Sequence, residues 1–390
     1  MPRTGGGFSG PLSAIAVTGI ALGVVVMVMA VSILRGFQAD ISGKVAGFGS
    51  HLTVTSFTTS DAYSDTPVAV DSTLLEALRS VPGVRHVQCF ATKGGMVKTE
   101  EQIYGIMFRG MGEGYDTSFY HSCLVEGRLP SETNDVLISS TISSKLGLKG
   151  GDKMRTYFWS GDSYRSRAFT VCGIYNTDLA EMDELYVVGD LRQVQRIEGW
   201  GDSLVGGYEL LVDDFDELQA TARRVAEVLP YDLQLRTIVE QHPALFSWLD
   251  LLNANIALIL TIMCLVSAVA IVSALLIMIF EKGTTIGLLK ALGASNAEVR
   301  RIFMLKASGL IATGVAIGDG VALALSLAQN HWRLLTLDPE SYSMAYVPVE
   351  IDPWVYVAVS MGTMAVCVAA LLLPAAYISK VSPAKTMRSE

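Results

Sequence analysis

Few residues in this chain have the types and spacing that catalysis or cofactor binding requires. Gly43-Lys44 is followed by Val45 and lacks the upstream glycine of a phosphate-cradling loop, so no ATP site of that kind is present. Neither H-E-x-x-H nor G-x-S-x-G occurs. His51, His86, His121, His242 and His331 are scattered and indicate no metal site. Cys89, Cys123, Cys172, Cys264 and Cys367 include no C-x-x-C pair, and free thiols are expected. The carboxylate pairs Asp213-Asp214 and Asp183-Glu184 read as solvated surface. The chain therefore reads as non-enzymatic, with no cofactor or metal of its own. Asp319 stands apart: it lies between Gly318 and Gly320 in an otherwise uncharged stretch. A carboxylate inside a membrane is costly, and is either functional or a hydrogen-bonded group between helices.

The elements that would carry these residues follow from the charge distribution. The chain has 390 residues, 17% charged, with a mean hydropathy of +0.41. Four stretches, 5–34, 251–280, 307–329 and 353–379, total 110 residues and hold one charged side chain, Asp319. The other 280 residues are about 24% charged, an ordinary soluble composition. Apolar runs of about 18 residues or more predict transmembrane helices. This pattern excludes a cytosolic enzyme, a disulfide scaffold and a disordered chain. Residues 12–34 exceed the apolar core of a signal peptide and predict a permanent anchor.

The predicted fold is an α-helical membrane protein with four transmembrane helices and a large extracytoplasmic α+β domain between helices 1 and 2. The segments are 1–34 (N-terminus and first span), 35–250 (outer domain with stalk helices), 251–280, 307–329 and 353–379 (further spans), 281–306 and 330–352 (loops) and 380–390 (tail). Loop 281–306 has five Lys/Arg, whereas loop 330–352 has only Arg333 against four acids. The positive-inside rule therefore places loop 281–306, the tail and both termini in the cytoplasm. Residues 35–250 carry 19 basic against 30 acidic side chains, which argues against nucleic acid as partner. The first and second apolar runs continue outward through Phe37, Ile41, Val45 and Phe48, and from Ala244 to Leu249, as stalks.

Within the outer domain, alternation predicts strands at 51–57, 84–90, 102–108, 135–139, 185–188 and 207–212. Residues 153–159 and 167–174 form a hairpin with its tip at Ser160-Gly161-Asp162. Helices are predicted at 71–81, 141–146 (ending at Gly147), 191–197 and 216–229. Trp159, Tyr164, Arg165 and Arg167 cluster at the hairpin tip. They are residue types of interface hot spots, or Trp159 and Tyr164 form a cross-strand pair.

Loop 281–306 is the most informative segment. Thr284–Leu292 reads as a short amphipathic helix, Gly293 as its left-handed end, and Ser295-Asn-Ala-Glu298 as a capping box. Such a helix either transmits force from a cytoplasmic partner or lies on lipid.

The run Glu281-Lys-Gly-Thr-Thr-Ile-Gly-Leu-Leu-Lys-Ala-Leu-Gly-Ala-Ser295, followed by Arg-Ile-Phe303, resembles the FtsX-like permease domain of MacB-type ABC transporters. Gly19-Ile-Ala-Leu-Gly-Val24, Gly36-Phe37, Gly47-Phe-Gly-Ser-His-Leu-Thr-Val54, Glu126-Gly-Arg-Leu-Pro130, Leu146-Gly-Leu-Lys-Gly-Gly-Asp152 and Phe169-Thr-Val-Cys-Gly-Ile174 extend the likeness along nearly the whole chain. Within that family it is most similar to the lipoprotein-releasing (Lol) permeases. The resemblance implies a MacB-like outer domain and a place in the bacterial inner membrane. It implies a second permease, self or paralogue, and a cytoplasmic ABC ATPase that holds the ATP and Mg. Glu281, Ile286, Leu289, Lys290, Leu292 and Gly293 become ATPase-coupling residues. Met27, Met29, Val31 and Leu34, with Leu252, Ile256 and Ile259, become the lining of a lipid and lipoprotein cavity. Trp159, Tyr164, Arg165 and Arg167 become a docking site for a periplasmic lipoprotein carrier. The job implied is ATP-driven extraction of lipoproteins. The alternatives are an FtsX-type scaffold controlling a cell-wall hydrolase and MacB-type efflux of peptides or drugs.

Overall fold

An unbroken run of apolar and helix-compatible residues makes α1 (Ser9–Phe48), a 40-residue helix. At about 1.5 Å per residue it is roughly 60 Å long, twice the hydrocarbon thickness of a membrane. The computed structural model describes residues 9–57, 65–99, 102–160, 163–337, 344 and 346–372. The hairpin tip at 161–162, the end of the fourth span at 373–379, the tail at 380–390 and residues 1–8 lie outside the described residues.

After α1 comes the large domain. Its elements are β1 (Leu52–Ser56), β2 (Val68–Ala69), α2 (Ser72–Ser80), β3 (Val84–Lys98), β4 (Ile103–Met111), α3 (Ser118–Ser122), β5 (Leu124–Gly127), β6 (Asp135–Ser139) and α4 (Ser140–Leu146). Then follow β7 (Lys153–Ser160), β8 (Ser163–Tyr175), α5 (Ala180–Leu185), β9 (Tyr186–Asp190), α6 (Leu191–Glu198), β10 (Leu204–Val205), β11 (Gly207–Val212), α7 (Leu218–Val228), β12 (Leu233–Thr237) and α8 (Ile238–Gln241). Local signals explain the helix starts. Asp71 accepts from the Thr73 N–H at 2.8 Å, and Ser139 accepts from the Ile142 N–H at 3.0 Å.

The main sheet runs β12-β1-β11-β3-β4-β9-β6-β8-β5. β7 pairs with both β3 and β8, so β3, β4, β9, β6, β8 and β7 close into a ring of six strands. Phe108, Phe158 and Phe169 are fully buried together, with Phe108 stacked on Phe169 at 5.1 Å and edge-on to Phe158 at 6.0 Å. The structure corrects several predicted boundaries. β3 continues to Lys98 rather than stopping at Phe90, because its second half pairs with β4 and β7. α3, α5, β5 and β12 lie where no element was predicted. All five cysteines are free.

The membrane unit contains α1 up to residue 38, then α9 (Pro243–Glu281) from residue 248, α10 (Gly283–Ala291), α11 (Asn296–Trp332) and α12 (Pro353–Ala370). Among the described residues, α1, α9, α11 and α12 are the four helices long and apolar enough to cross a membrane. Their shared core includes Ile20, Val24, Val28, Ile271, Leu275 and Ile311. Small residues permit the approach of α11 to α1: a Cβ on Gly318 would sit 2.7 Å from the Val24 Cβ. The loop after α11 is held by Gln329, which donates to the Leu335 and Val347 carbonyls at 3.2 and 3.0 Å.

Candidate functional site

The basic loop is built as its sequence signals require. α10 ends in a Schellman motif: the Gly293 N–H donates to Lys290 at 3.1 Å and the Ala294 N–H to Leu289 at 3.0 Å. Gly293 takes φ +99°, a conformation that disfavours any side chain. Ser295 and Glu298 then form the reciprocal capping box that starts α11. Leu292 is 78% exposed, Leu288 is exposed beside it, and Glu281 and Gly293 are exposed. Leu289 and Lys290 are half-buried. Ile286 is fully buried in the membrane-unit core, so it packs α10 in place rather than facing outward. Leu289, Leu292, Ala294, Arg301, Ile302 and Leu305 line a cleft of about 610 Å³.

A second cleft, about 530 Å³, lies between α1, α9 and α12. Of the residues that the resemblance gives to a lipid cavity, Met27 and Val31 line this cleft. Leu260 and Cys264 line it from α9, whereas Leu252, Ile256 and Ile259 stand nearer the start of α9 and are not in its lining. Leu34 is buried, and Met29 accepts a contact from Ser326 Oγ at 3.4 Å instead. The sequence reading missed the wall from α12 (Trp354, Ala358, Gly362, Val366) and Arg35, whose guanidinium is paired with Asp352. The signal available for them was the start of α12 itself, Asp352-Pro353, where Asp352 caps the Trp354 N–H at 2.9 Å. Asp319 accepts from Ser360 Oγ at 2.8 and 2.7 Å, which makes it a polar tie between α11 and α12.

In the large domain, Trp159 and Tyr164 are 53% and 59% exposed and pack edge-to-face at 4.7 Å, so they form the cross-strand pair while remaining accessible. Arg165 donates to the Arg196 carbonyl at 3.1 Å, and Arg167 to the Ser166 carbonyl at 3.2 Å. A buried network that sequence reasoning did not single out sits where α1 ends. Arg109 pairs with Glu209 and donates to the Gly49 carbonyl at 3.0 Å. The Tyr120 hydroxyl donates to the Phe48 carbonyl at 3.2 Å. Glu209 also accepts from Tyr115 at 2.9 Å and Gln88 at 3.0 Å. Burial opposes the Arg109 charge, but Glu209 beside it holds its pKa well above the usual range. Next to this joint, burial and the charge of Arg85 lower the His51 pKa to about 4, and its Nδ1 accepts the Val212 N–H at 3.3 Å. Burial raises the Asp183 pKa to about 6, although Thr177 donates to it. No metal-holding cluster occurs among the described residues.

Four apolar helices, an α+β domain between the first two and a capped basic loop define a multi-pass ABC transporter permease. The chain belongs to the family with a MacB-like periplasmic core domain, matched over residues 13–228, and an FtsX-like permease C-terminal region, matched over residues 241–383. It is 24% identical to the lipoprotein-releasing system transmembrane protein LolC of Neisseria meningitidis, over 98% of this chain and 95% of that one. It is 22% identical to the corresponding LolE of Haemophilus influenzae, over 95% of this chain and 92% of that one. The crystal structure of the extracellular domain of the noncanonic ABC-type transporter YknZ from Gram-positive bacteria matches 48% of this chain and 99% of its own, at 14% identity and a TM-score of 0.34.

Proposed function

We propose that this chain is the permease subunit of an ABC transporter that extracts lipoproteins from the bacterial inner membrane. The observation that carries this reading is the apolar cleft lined by Met27, Val31, Leu260 and Val359, inside a chain aligned end to end with lipoprotein-releasing relatives. Its volume, about 530 Å³, lies within the range of ligand pockets, ~300–1,000 Å³. Acyl chains enter the cleft and leave water-excluding walls behind them. A separate ATPase, holding ATP and Mg, seats on the exposed face of α10 through Leu288, Leu289 and Leu292, with Glu281 and Lys290 at its margin. A second permease, of the same or a paralogous chain, completes the cavity. The Trp159–Tyr164 pair with Arg165 and Arg167 receives the periplasmic carrier. Both termini lie in the cytoplasm.

Depletion of the chain from its host, with no paralogue supplied, is the test. Outer-membrane lipoproteins should accumulate in the inner membrane fraction. Normal sorting in depleted cells sinks the reading and points instead to a scaffold or efflux role.

A further inference from the structure

The cleft between α1, α9 and α12 has a charged rim that the cargo reading leaves unused. Trp354, Ala358, Gly362 and Val366 line it at intervals of four residues, one face of α12. Twelve residues of helix span about 18 Å, close to half of a hydrocarbon core of ~30 Å. The cleft is therefore about one leaflet deep. Met27 and Val31 form the parallel wall on α1, and the next position at the same spacing is Arg35. Arg35 and Trp354 stand at the same end, at the start of α12, and both are residue types of the membrane–water interface. Asp352 takes one Nη of Arg35, yet the Arg35 side chain stays 48% exposed. The other Asp352 oxygen is engaged by the Trp354 N–H. The result is an apolar slot with a guanidinium at its interfacial mouth.

We propose that this slot holds one acyl chain of a membrane phospholipid, with the lipid phosphate on Arg35. The phospholipid comes from the leaflet on the side of loop 330–352. Guanidinium and phosphate make charge-assisted, often paired hydrogen bonds, and the apolar walls accept the chain. Asp352 is the competitor that neutralises Arg35 when no phosphate is present. This is the cleft that the proposed function gives to cargo, so the phospholipid fills it only while lipoprotein is absent and the two exclude one another; a chain that moved a different substrate would still retain the phospholipid. Lipoprotein acyl groups carry no phosphate, so their entry would not depend on Arg35.

The test uses the full chain in mild detergent. Phosphatidylglycerol and a diacylglycerol with the same chains are added together, and native mass spectrometry counts the lipids retained. The wild-type chain should keep one phosphatidylglycerol, favoured about tenfold over diacylglycerol, the scale of one charge-assisted hydrogen bond. Arg35→Gln should erase that preference. Asp352→Asn retains a capping side chain and should raise the preference, a gain that misfolding cannot produce. Gly362→Leu should reduce retention of both lipids, since a Cβ there meets nothing within 4 Å and the side chain grows into the slot. The proposal is overturned by equal retention of the two lipids by the wild type, by a preference that survives Arg35→Gln, or by unchanged retention in Gly362→Leu.

Discussion

Arg109 and Glu209 are almost fully buried, and removing one partner strands the other in a medium that cannot solvate it. Arg109→Met should therefore lower the stability of the large domain by about 3–5 kcal/mol. The double variant with Glu209→Met should be milder than either single change, as thermal unfolding will show; an additive double variant would remove the pair as the cause. Two titratable groups near the core set opposite pH trends. His51, depressed to about 4, stabilises the fold above its unfolded pKa near 6.5, and that contribution is lost as pH falls through about 4. Asp183, raised to about 6, favours the fold below its unfolded pKa near 3.9, and that contribution is lost as pH rises through about 6. Histidine NMR should find one ring that stays neutral down to about pH 4, and His51→Asn should abolish that signal. A ring titrating near 6.5 in its place would refute the burial argument.

At the scale of elements, α10 ends in a Schellman motif and exposes Leu288 on its face and Leu292 at its C-cap. Leu292→Asp changes a side chain that is 78% exposed, so insertion and folding should be unaffected while co-purification of the ATPase falls at least tenfold. Retained ATPase would show that α10 lies on lipid instead. Much of this element was legible because caps are local: Gly293 and the Ser295–Glu298 box announce themselves within a few residues. The same holds for the start of α2 at Asp71 and the end of α4 at Gly147, each fixed by one residue. Strand ends depend on partners far away in sequence. The second half of β3 contains Gly94-Gly95, which breaks the alternating pattern, yet Gly95 is there because Phe158 fills the space a Cβ would need. β12 alternates weakly because it is an edge strand with a single neighbour, β1. The cleft wall on α12 was illegible for a related reason. Trp354, Ala358, Gly362 and Val366 look like any apolar span until the neighbouring helices are in place.

At the scale of the whole molecule, no disulfide contributes to either unit. The unfolding midpoint of the full chain in detergent should be the same with and without dithiothreitol, and a shift of more than about 2 °C would contradict the free thiols. The sheet order carries one more consequence. β1 lies between β11 and β12, strands that follow it by more than 150 residues, so β1 leaves the ribosome with neither neighbour. At synthesis rates of ~5–20 residues per second, it waits roughly ten seconds or longer for them. The last of its partners, β12, ends at Thr237, six residues before α9 begins. Assembly of the sheet and arrival of the second span at the insertion machinery thus fall at nearly the same moment of biosynthesis. A nascent chain halted before residue 233 should be cut by protease throughout the large domain, whereas one halted shortly after α9 should resist.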